Sequence, residues 1–260
     1  MVEFGFLGGG RMASAIKDGL LKCQSKNDIG VYDPFLAADS SWSECVVFDN
    51  LEKLFAESKW LFLCLKPQIF KQESDNFKKV NFEGNGVVSV MAGIDTEEIE
   101  SIFGDIAVIR TMPNTPMMLG EGMLALCKGV NATNEILEYV KSLFCDIADT
   151  LIVEENQMDG VTAISGSGPA YFFYLTEAIE KNAEAFGFDK EQAKKLWVNT
   201  MKGAAAMLQN QDATELKKQV TSPGGTTQAA LENFEENGLA ETFIKGVMAA
   251  KNKCLELGKK

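Results

Sequence analysis

Eight short apolar runs recur along the first 153 residues: Glu3–Leu7, Ile29–Tyr32, Cys45–Phe48, Trp60–Leu65, Val87–Met91, Ala107–Ile109, Met123–Leu126 and Leu151–Val153. Each has the length of a strand rather than a helix. Helix-period segments lie between several of them. Met12, Ala15, Ile16, Gly19 and Leu20 fall on one face of a helix. Asp95, followed by Thr96, Glu97 and Glu98, supplies a cap and early acids ahead of Ile99 and Ile102; Thr133 stands similarly before Ile136, Leu137 and Val140. Buried strands alternating with crossover helices predict an α/β domain, with a mostly parallel sheet covered on both faces.

Past about residue 156 the strand pattern stops. Phe172, Leu175, Ile179, Ala183 and Phe186 predict one helix ending at Gly187, and Asp189 with Gln192 opens a second through Leu196, Trp197, Met201, Ala204 and Leu208. Thr227–Asn237, closed by Gly238, predicts a third, and Phe243, Ile244, Val247, Met248 and Leu255 a fourth. The layout is therefore an α/β half, residues 1–155, followed by an all-α half, residues 156–260. No Pro- or Gly-rich linker separates them, so a continuous helix start is the expected join. The helical faces carry more Phe, Leu, Met and Ala than a small domain can hide, which predicts an obligate homodimer.

Composition narrows the chemistry. The chain of 260 residues contains no histidine, which excludes Ser-His-Asp and Cys-His machinery and His-ligated metals. Net charge is −12, with guanidinium groups only at Arg11 and Arg110, a poor balance for tracking nucleic-acid phosphates. The six cysteines are scattered without a C-x-x-C pair, so reduced thiols and no metal site are expected. Met1-Val2-Glu3-Phe4 shows no basic leader, and Trp60–Leu65, the longest uncharged apolar run, is far short of a membrane span. A cytoplasmic protein is the expectation.

Gly8-Gly9-Gly10-Arg11-Met12-Ala13 reads G-x-G-x-x-A, directly after a predicted strand and at the opening of an amphipathic helix. Gly8 permits the tight turn, Gly10 lets backbone approach a pyrophosphate, and Ala13 allows close helix–strand packing. Asp33 lies 23 positions after Gly10, at the end of the second strand. A carboxylate there accepts hydrogen bonds from a ribose diol and repels a 2′-phosphate, and no Lys or Arg follows through Asp39. The pattern points to NADH or NADPH, leaning to NADH; an alternative role for Asp33 is to cap its own turn.

A second constellation, Ser222-Pro223-Gly224-Gly225-Thr226-Thr227, precedes a predicted helix. Hydroxyls, bare backbone and free helix N–H groups together suit a small carboxylate. A capped turn is the plainer alternative. Ser165-Gly166-Ser167-Gly168-Pro169-Ala170-Tyr171 sets helix breakers inside an apolar helical stretch, as a packing notch or a ligand contact. Cys64-Leu65-Lys66-Pro67 and Met112-Pro113-Asn114-Thr115-Pro116 terminate strands, where ligands of open α/β sheets collect.

Together with Met91-Ala92-Gly93, these strings resemble, in order and over the whole chain, the pyrroline-5-carboxylate reductase family. The resemblance implies a Rossmann domain followed by a helical dimerisation domain. It also implies an active site between the Rossmann domain of one subunit and the helical domain of another, and dimers that in many members build into decamers. By position, it assigns Gly8, Gly10, Arg11, Met12, Ala13, Asp33, Pro34 and Asn50 to the adenosine diphosphate half of the cofactor. Cys64, Leu65, Lys66, Pro67, Ala92, Gly93 and Asn114 fall to the ribose and nicotinamide end. Ser222, Gly224, Gly225, Thr226 and Thr227 fall to the carboxylate and ring nitrogen of 1-pyrroline-5-carboxylate, with Thr227 as the catalytic residue that supplies a hydrogen bond at that nitrogen. Cys64 and Met91 depart from the small residues usual there, and Asp33 lacks the neighbouring Arg of some NADPH-preferring members.

Two rivals stand beside this. A β-hydroxyacid-type dehydrogenase needs a general base, typically a Lys early in the helical half, yet the first lysine after Asp159 is Lys181. A non-catalytic dinucleotide-binding dimer gives no reason for Ser222–Thr227.

Overall fold

In the computed structural model, residues 1–37 and 40–259 are described. All eight predicted strands form, as β1 (Val2–Leu7), β2 (Ile29–Tyr32), β3 (Val46–Val47), β4 (Ser58–Leu63), β5 (Gly86–Ser89), β6 (Val108–Pro113), β7 (Gly122–Lys128) and β8 (Ala148–Ile152). They make one sheet in the order β3-β2-β1-β4-β5-β6-β7-β8. Every pairing is parallel except β6 with β7. The connection between those two is a 3₁₀ turn, Thr115–Leu119, ended by Gly120 at φ +76. It is shorter than the roughly dozen residues a parallel crossover needs.

Successive strand residues divide between two layers. Trp60 and Phe62 face one side with α1 (Arg11–Leu20) and α5 (Asn134–Ser142). Leu61 and Leu63 face the other with α2 (Leu51–Glu57), α3 (Pro67–Phe77) and α4 (Thr96–Phe103). Phe6 stacks on Phe62 at 4.7 Å between centroids, a contact worth about 0.5–1.5 kcal/mol beyond its buried area. Asp95 and Thr133 accept from the N–H groups of Glu98 and Ile136, as capping requires. One residue breaks the expected pattern of α1: Lys17 is buried.

The chain leaves the sheet through a 3₁₀ turn at Glu155–Gln157, a short α6 (Met158–Val161) and a π-helical turn at Thr162–Gly166. Arg110 of β6, only 3% exposed, pairs with Glu155 and lies 3.6 Å from Asp159. Glu155 also accepts from the Thr96 N–H and the Cys127 thiol, both at 3.3 Å. The Cys254 thiol donates to Asp159 at 3.1 Å, and burial pushes its pKa up to about 11. One buried guanidinium thus gathers the sheet, the start of the helical stretch and the chain's last helix.

The helical elements are α7 (Gly168–Ala185), α8 (Lys190–Leu208), α9 (Ala213–Gln219), α10 (Thr226–Glu236) and α11 (Leu239–Lys259). The Asp189/Gln192 capping box forms at α8, and α9, capped by Asp212, is the helix the apolar pattern did not announce. The chain separates into two compact units, Met1–Pro169 with Ala249–Lys260, and Ala170–Met248. Among the described residues no helix is long and apolar enough to cross a membrane, and no cluster of His, Cys, Asp or Glu suits a metal ion.

The second unit has almost no interior of its own. Ala183 and Ala193 are its only buried residues among those described, while Phe172, Phe173, Leu196, Phe243, Ile244 and Met248 are exposed. Leaving a large apolar side chain in water forgoes about 1.5–3 kcal/mol, so a second copy of the chain is the natural cover. Light scattering should therefore give at least twice the mass of one chain at micromolar concentration. A single-chain mass that persists on concentration would contradict this.

Candidate active site

The parallel register brings three strand ends level. The Gly8 N–H donates to the Tyr32 carbonyl and the Cys64 N–H to the Leu7 carbonyl, each at 2.9 Å, and the Val90 N–H to the Leu63 carbonyl at 3.1 Å. The order of strand addition reverses across this point, since β2 and β3 lie on one side of β1 and β4 and β5 on the other, all of them parallel. Open α/β sheets bind ligands in that crevice. Gly8 turns the chain there at φ +98, and a Cβ on it would sit 2.8 Å from the Cys64 carbonyl oxygen. Only glycine meets both demands.

Gly10 is the N-cap of α1 and makes no side-chain cap hydrogen bond. A Cβ there would meet nothing within 4 Å. The first-turn N–H groups and the positive end of the helix dipole therefore face open space, as an anion requires. Ala13 is buried against the sheet, Met12 is half-buried, and exposed Arg11 stands at a cleft of about 550 Å³ lined also by Gly9, Ser14, Lys22 and Met117. The donor set fits the diphosphate of a dinucleotide. Asp33, at the end of β2, spends one oxygen on the Gly9 N–H and the other on the Phe35 N–H, each at 2.9 Å. Pro34 is exposed, and of the stretch after it Ala38 and Asp39 lie outside the described residues.

The remaining strand-end residues do structural work as well. Asn50 caps α2, accepting from the Lys53 N–H at 2.8 Å. Lys66 is the exposed N-cap of α3, with Pro67 in its first turn. Leu65 and Cys64 are half-buried, and burial holds the Cys64 thiol well above its ordinary range. Met91 is buried in the layer with α3 and α4. Ala92 is half-buried beside Gly93, which sits at φ +74; a Cβ on Gly93 would lie 2.7 Å from the Cys254 carbonyl, so α11 explains this glycine without a ligand. Asn114 accepts from the Met123 N–H at 2.9 Å and donates to Ser165 Oγ at 3.3 Å. That bond joins the end of β6 to the Ser165–Tyr171 motif, whose first residues form the π-helical turn. Such turns are frequent at functional sites.

Ser222, Gly224, Gly225, Thr226 and Thr227 lie in the second unit, at the start of α10. Gly224 adopts φ +70, and its N–H donates to Gln228 Oε1 at 2.7 Å. The Gly225 N–H donates to the Ser222 carbonyl at 3.0 Å, and a Cβ on Gly225 would strike Ser222 Oγ at 2.5 Å. Gly225 is the N-cap, and no side chain caps α10. Despite three nearby hydroxyls, the helix start is left bare.

A glycine loop at the switch point of a parallel sheet, followed by a helical module, defines a dinucleotide-dependent oxidoreductase of the two-domain type. Residues 3–93 match the family described as NADP oxidoreductase coenzyme F420-dependent, and residues 155–257 the one described as pyrroline-5-carboxylate reductase dimerisation. The pyrroline-5-carboxylate reductase of Methanosarcina acetivorans is 34% identical over 99% of this chain and 98% of its own. That of Corynebacterium melassecola is 39% identical over 78% of this chain and 77% of its own. The Plasmodium falciparum enzyme, crystallised with NADP bound, superposes with a TM-score of 0.90 at 27% identity, covering 99% of this chain and 98% of that one. The chain belongs to the pyrroline-5-carboxylate reductase family. Its helical half is that family's dimerisation module, and the protein is a homo-oligomer.

Gly8 and Gly10 separate folding from binding. Gly8→Ala should cost about 1–3 kcal/mol of stability, because it forces a strained φ and a backbone collision. Gly10→Ala should melt within about 0.5 kcal/mol of the parent yet bind the dinucleotide about tenfold more weakly. Calorimetric titration beside denaturant unfolding checks both; full affinity in Gly10→Ala would remove the loop from the site.

Proposed function

We infer that this protein reduces the C=N bond of 1-pyrroline-5-carboxylate to give L-proline, with NADH or NADPH as reductant. The observation that carries this is family membership along the whole chain, joined to an uncapped α10 start presenting Ser222–Thr227. The bound dinucleotide supplies a hydride to ring carbon C5. Gly8, Gly10, Arg11, Met12 and Ala13, with Asp33, Pro34 and Asn50, are the residues we assign to its adenosine diphosphate half. Cys64–Pro67, Ala92, Gly93 and Asn114 are those assigned to the other end.

Substrate handling falls to the second constellation. The Thr226 and Thr227 N–H groups and the Ser222 and Thr226 hydroxyls hold the carboxylate over the side-chain-free turn of Gly224 and Gly225, drawing on the helix dipole in place of a cationic side chain. Thr227 places a hydroxyl at the imine nitrogen. That nitrogen enters already protonated, the C=N electron pair moves onto it as the hydride forms the new C–H bond, and a secondary amine results. No general base is needed, which suits a chain without histidine. What remains is orientation, worth up to about 7–11 kcal/mol of barrier.

We assign cofactor and substrate roles on either side of residues 155 and 156, and propose a homodimer as the building unit of any decamer. The cytoplasm is the proposed compartment, since Cys127 and Cys254 act as thiol donors to Glu155 and Asp159 and so must stay reduced.

NADH is the proposed preference. The charge of Asp33 opposes a 2′-phosphate, and Phe35, Leu36 and Ala37 bring no cation to offset it. Oxidation of NADH and NADPH with pyrroline-5-carboxylate, followed by the loss of reduced-nicotinamide absorbance, tests the assignment; no oxidation with either sinks it. Thr227→Ala should lower kcat about 100-fold with cofactor affinity within about twofold. Unchanged turnover would make Thr227 structural. Asp33→Asn keeps an acceptor for Gly9 and removes the charge, so the NADH:NADPH ratio of kcat/KM should fall about fivefold or more. A constant ratio would take Asp33 out of cofactor selection.

A further inference from the structure

Three consecutive glycines give the Gly8–Gly10 loop more conformational freedom than any other three residues would. Its middle residue is nonetheless held at both backbone polar atoms, one in each of the two peptide units it joins. The Gly9 N–H donates to Asp33 at 2.9 Å, and the Gly9 carbonyl accepts from the Trp42 indole N–H at 3.1 Å. Both partners come from the segment that follows β2. Trp42 is fully buried, with its ring 5.1 Å from that of Phe6. The buried ammonium of Lys17 lies 5.3 Å over the same ring, donates to the Ser41 carbonyl at 2.7 Å and pairs with Asp18 at 2.9 Å. A Cβ on Gly9 would lie 2.7 Å from Leu36 Cδ1 and 3.2 Å from Trp42 Nε1. Leu36 and Trp42 therefore close onto the glycine loop with no room to spare, and Lys17 of α1 holds the adjoining Ser41 carbonyl.

We infer that Trp42 is a positioning residue for cofactor binding: its indole N–H fixes the plane of the Gly9–Gly10 peptide, so that the Gly10 N–H and the open cradle beyond it are set before the dinucleotide arrives. Burial alone does not account for the choice of side chain, because phenylalanine fills an apolar site beside Phe6 without needing a partner for an N–H. The indole spends its one donor on the central glycine of the loop. Preorganising a loop removes its ordering cost from the binding step, so the effect appears in cofactor affinity rather than in the chemical step. This reading rests on the assignment of Gly8–Ala13 to the dinucleotide.

The test is Trp42→Phe in the full-length oligomer, with dinucleotide affinity measured directly by calorimetry and both KM values taken from steady-state rates. Expected are a Kd and KM for the dinucleotide raised about tenfold, the loss of one well-placed hydrogen bond. The KM for pyrroline-5-carboxylate and kcat at saturating cofactor should stay within about twofold. A purely packing role would lower the melting temperature and leave cofactor affinity as it was; that result overturns the proposal. Should Trp42→Phe not fold, Lys17→Met loosens the same segment from the other side and should raise the dinucleotide Kd about threefold; unchanged affinity there overturns it equally. Gly10→Ala is the control. If Gly10→Ala also binds normally, the cofactor assignment fails; if it alone weakens binding, only the role of Trp42 does.

Discussion

The close approach of the Gly8 turn to the Cys64 carbonyl is the constraint on which the first unit's chemistry rests. It exists because β1 pairs with β2 and β4 in the same parallel register, with Leu7 opposite both Tyr32 and Leu63. That register sets Gly8, Asp33 and Cys64 side by side at the carboxyl edge. A residue with a Cβ at position 8 would have to open the β1–β4 ladder or abandon the turn. Either movement withdraws the α1 N-terminus from the crevice. The same glycine thus serves strand pairing first and ligand binding second.

Much of this was legible along the chain, and the reasons are local. Most strands are buried on both faces and read as apolar runs; β3 and β8, partly exposed, stood out only through Val46 and Val47 and through Leu151 and Ile152. Asp95, Thr133 and Asp189 announced their helices because a cap and its N–H partner lie three residues apart. The antiparallel β7 follows from a connection too short to cross over, which the runs alone do not reveal. α9 carries too few apolar positions to show a face. Lys17, Trp42 and Arg110 were invisible as a class, since their roles depend on partners far away in sequence: Ser41 for Lys17, Gly9 for Trp42, Glu155 for Arg110. A lone arginine ending the apolar run at Ile109 was the one available signal. Gly93 shows how one glycine can answer two demands: the resemblance assigned it to the cofactor, and packing against Cys254 and Gly258 of α11 requires it as well.

Charge and burial are arranged differently in the two units. In the first, one guanidinium is buried with Glu155 and Asp159, and its Nε and Nη2 have no hydrogen-bond partner among the described residues. Such a cluster contributes little net stability, but removing one member strands the others, so it specifies geometry at the point where the helical stretch departs. Among the described residues the second unit has no comparable anchor and scarcely any core. Burial of its apolar faces falls to association, which ties the stability of this half to assembly.

The position of Asp33 joins loop order to cofactor choice. Read along the chain, its carboxylate either caps a turn or receives a ribose; the structure shows the turn contacts, and these leave the proposed ribose contact compatible with them, because the two uses draw on different lone pairs. An ionised carboxylate offers about four acceptor positions, and Gly9 and Phe35 engage one on each oxygen. The remainder are free for the proposed ribose contact. It follows that a side chain lacking an acceptor at position 33 would disturb both functions together, freeing the Gly9 N–H as well as emptying the ribose end. Trp42 would then hold the Gly9 peptide by its carbonyl alone. Selectivity for one dinucleotide over another can thus be altered independently of the loop only by changes that preserve an acceptor toward Gly9.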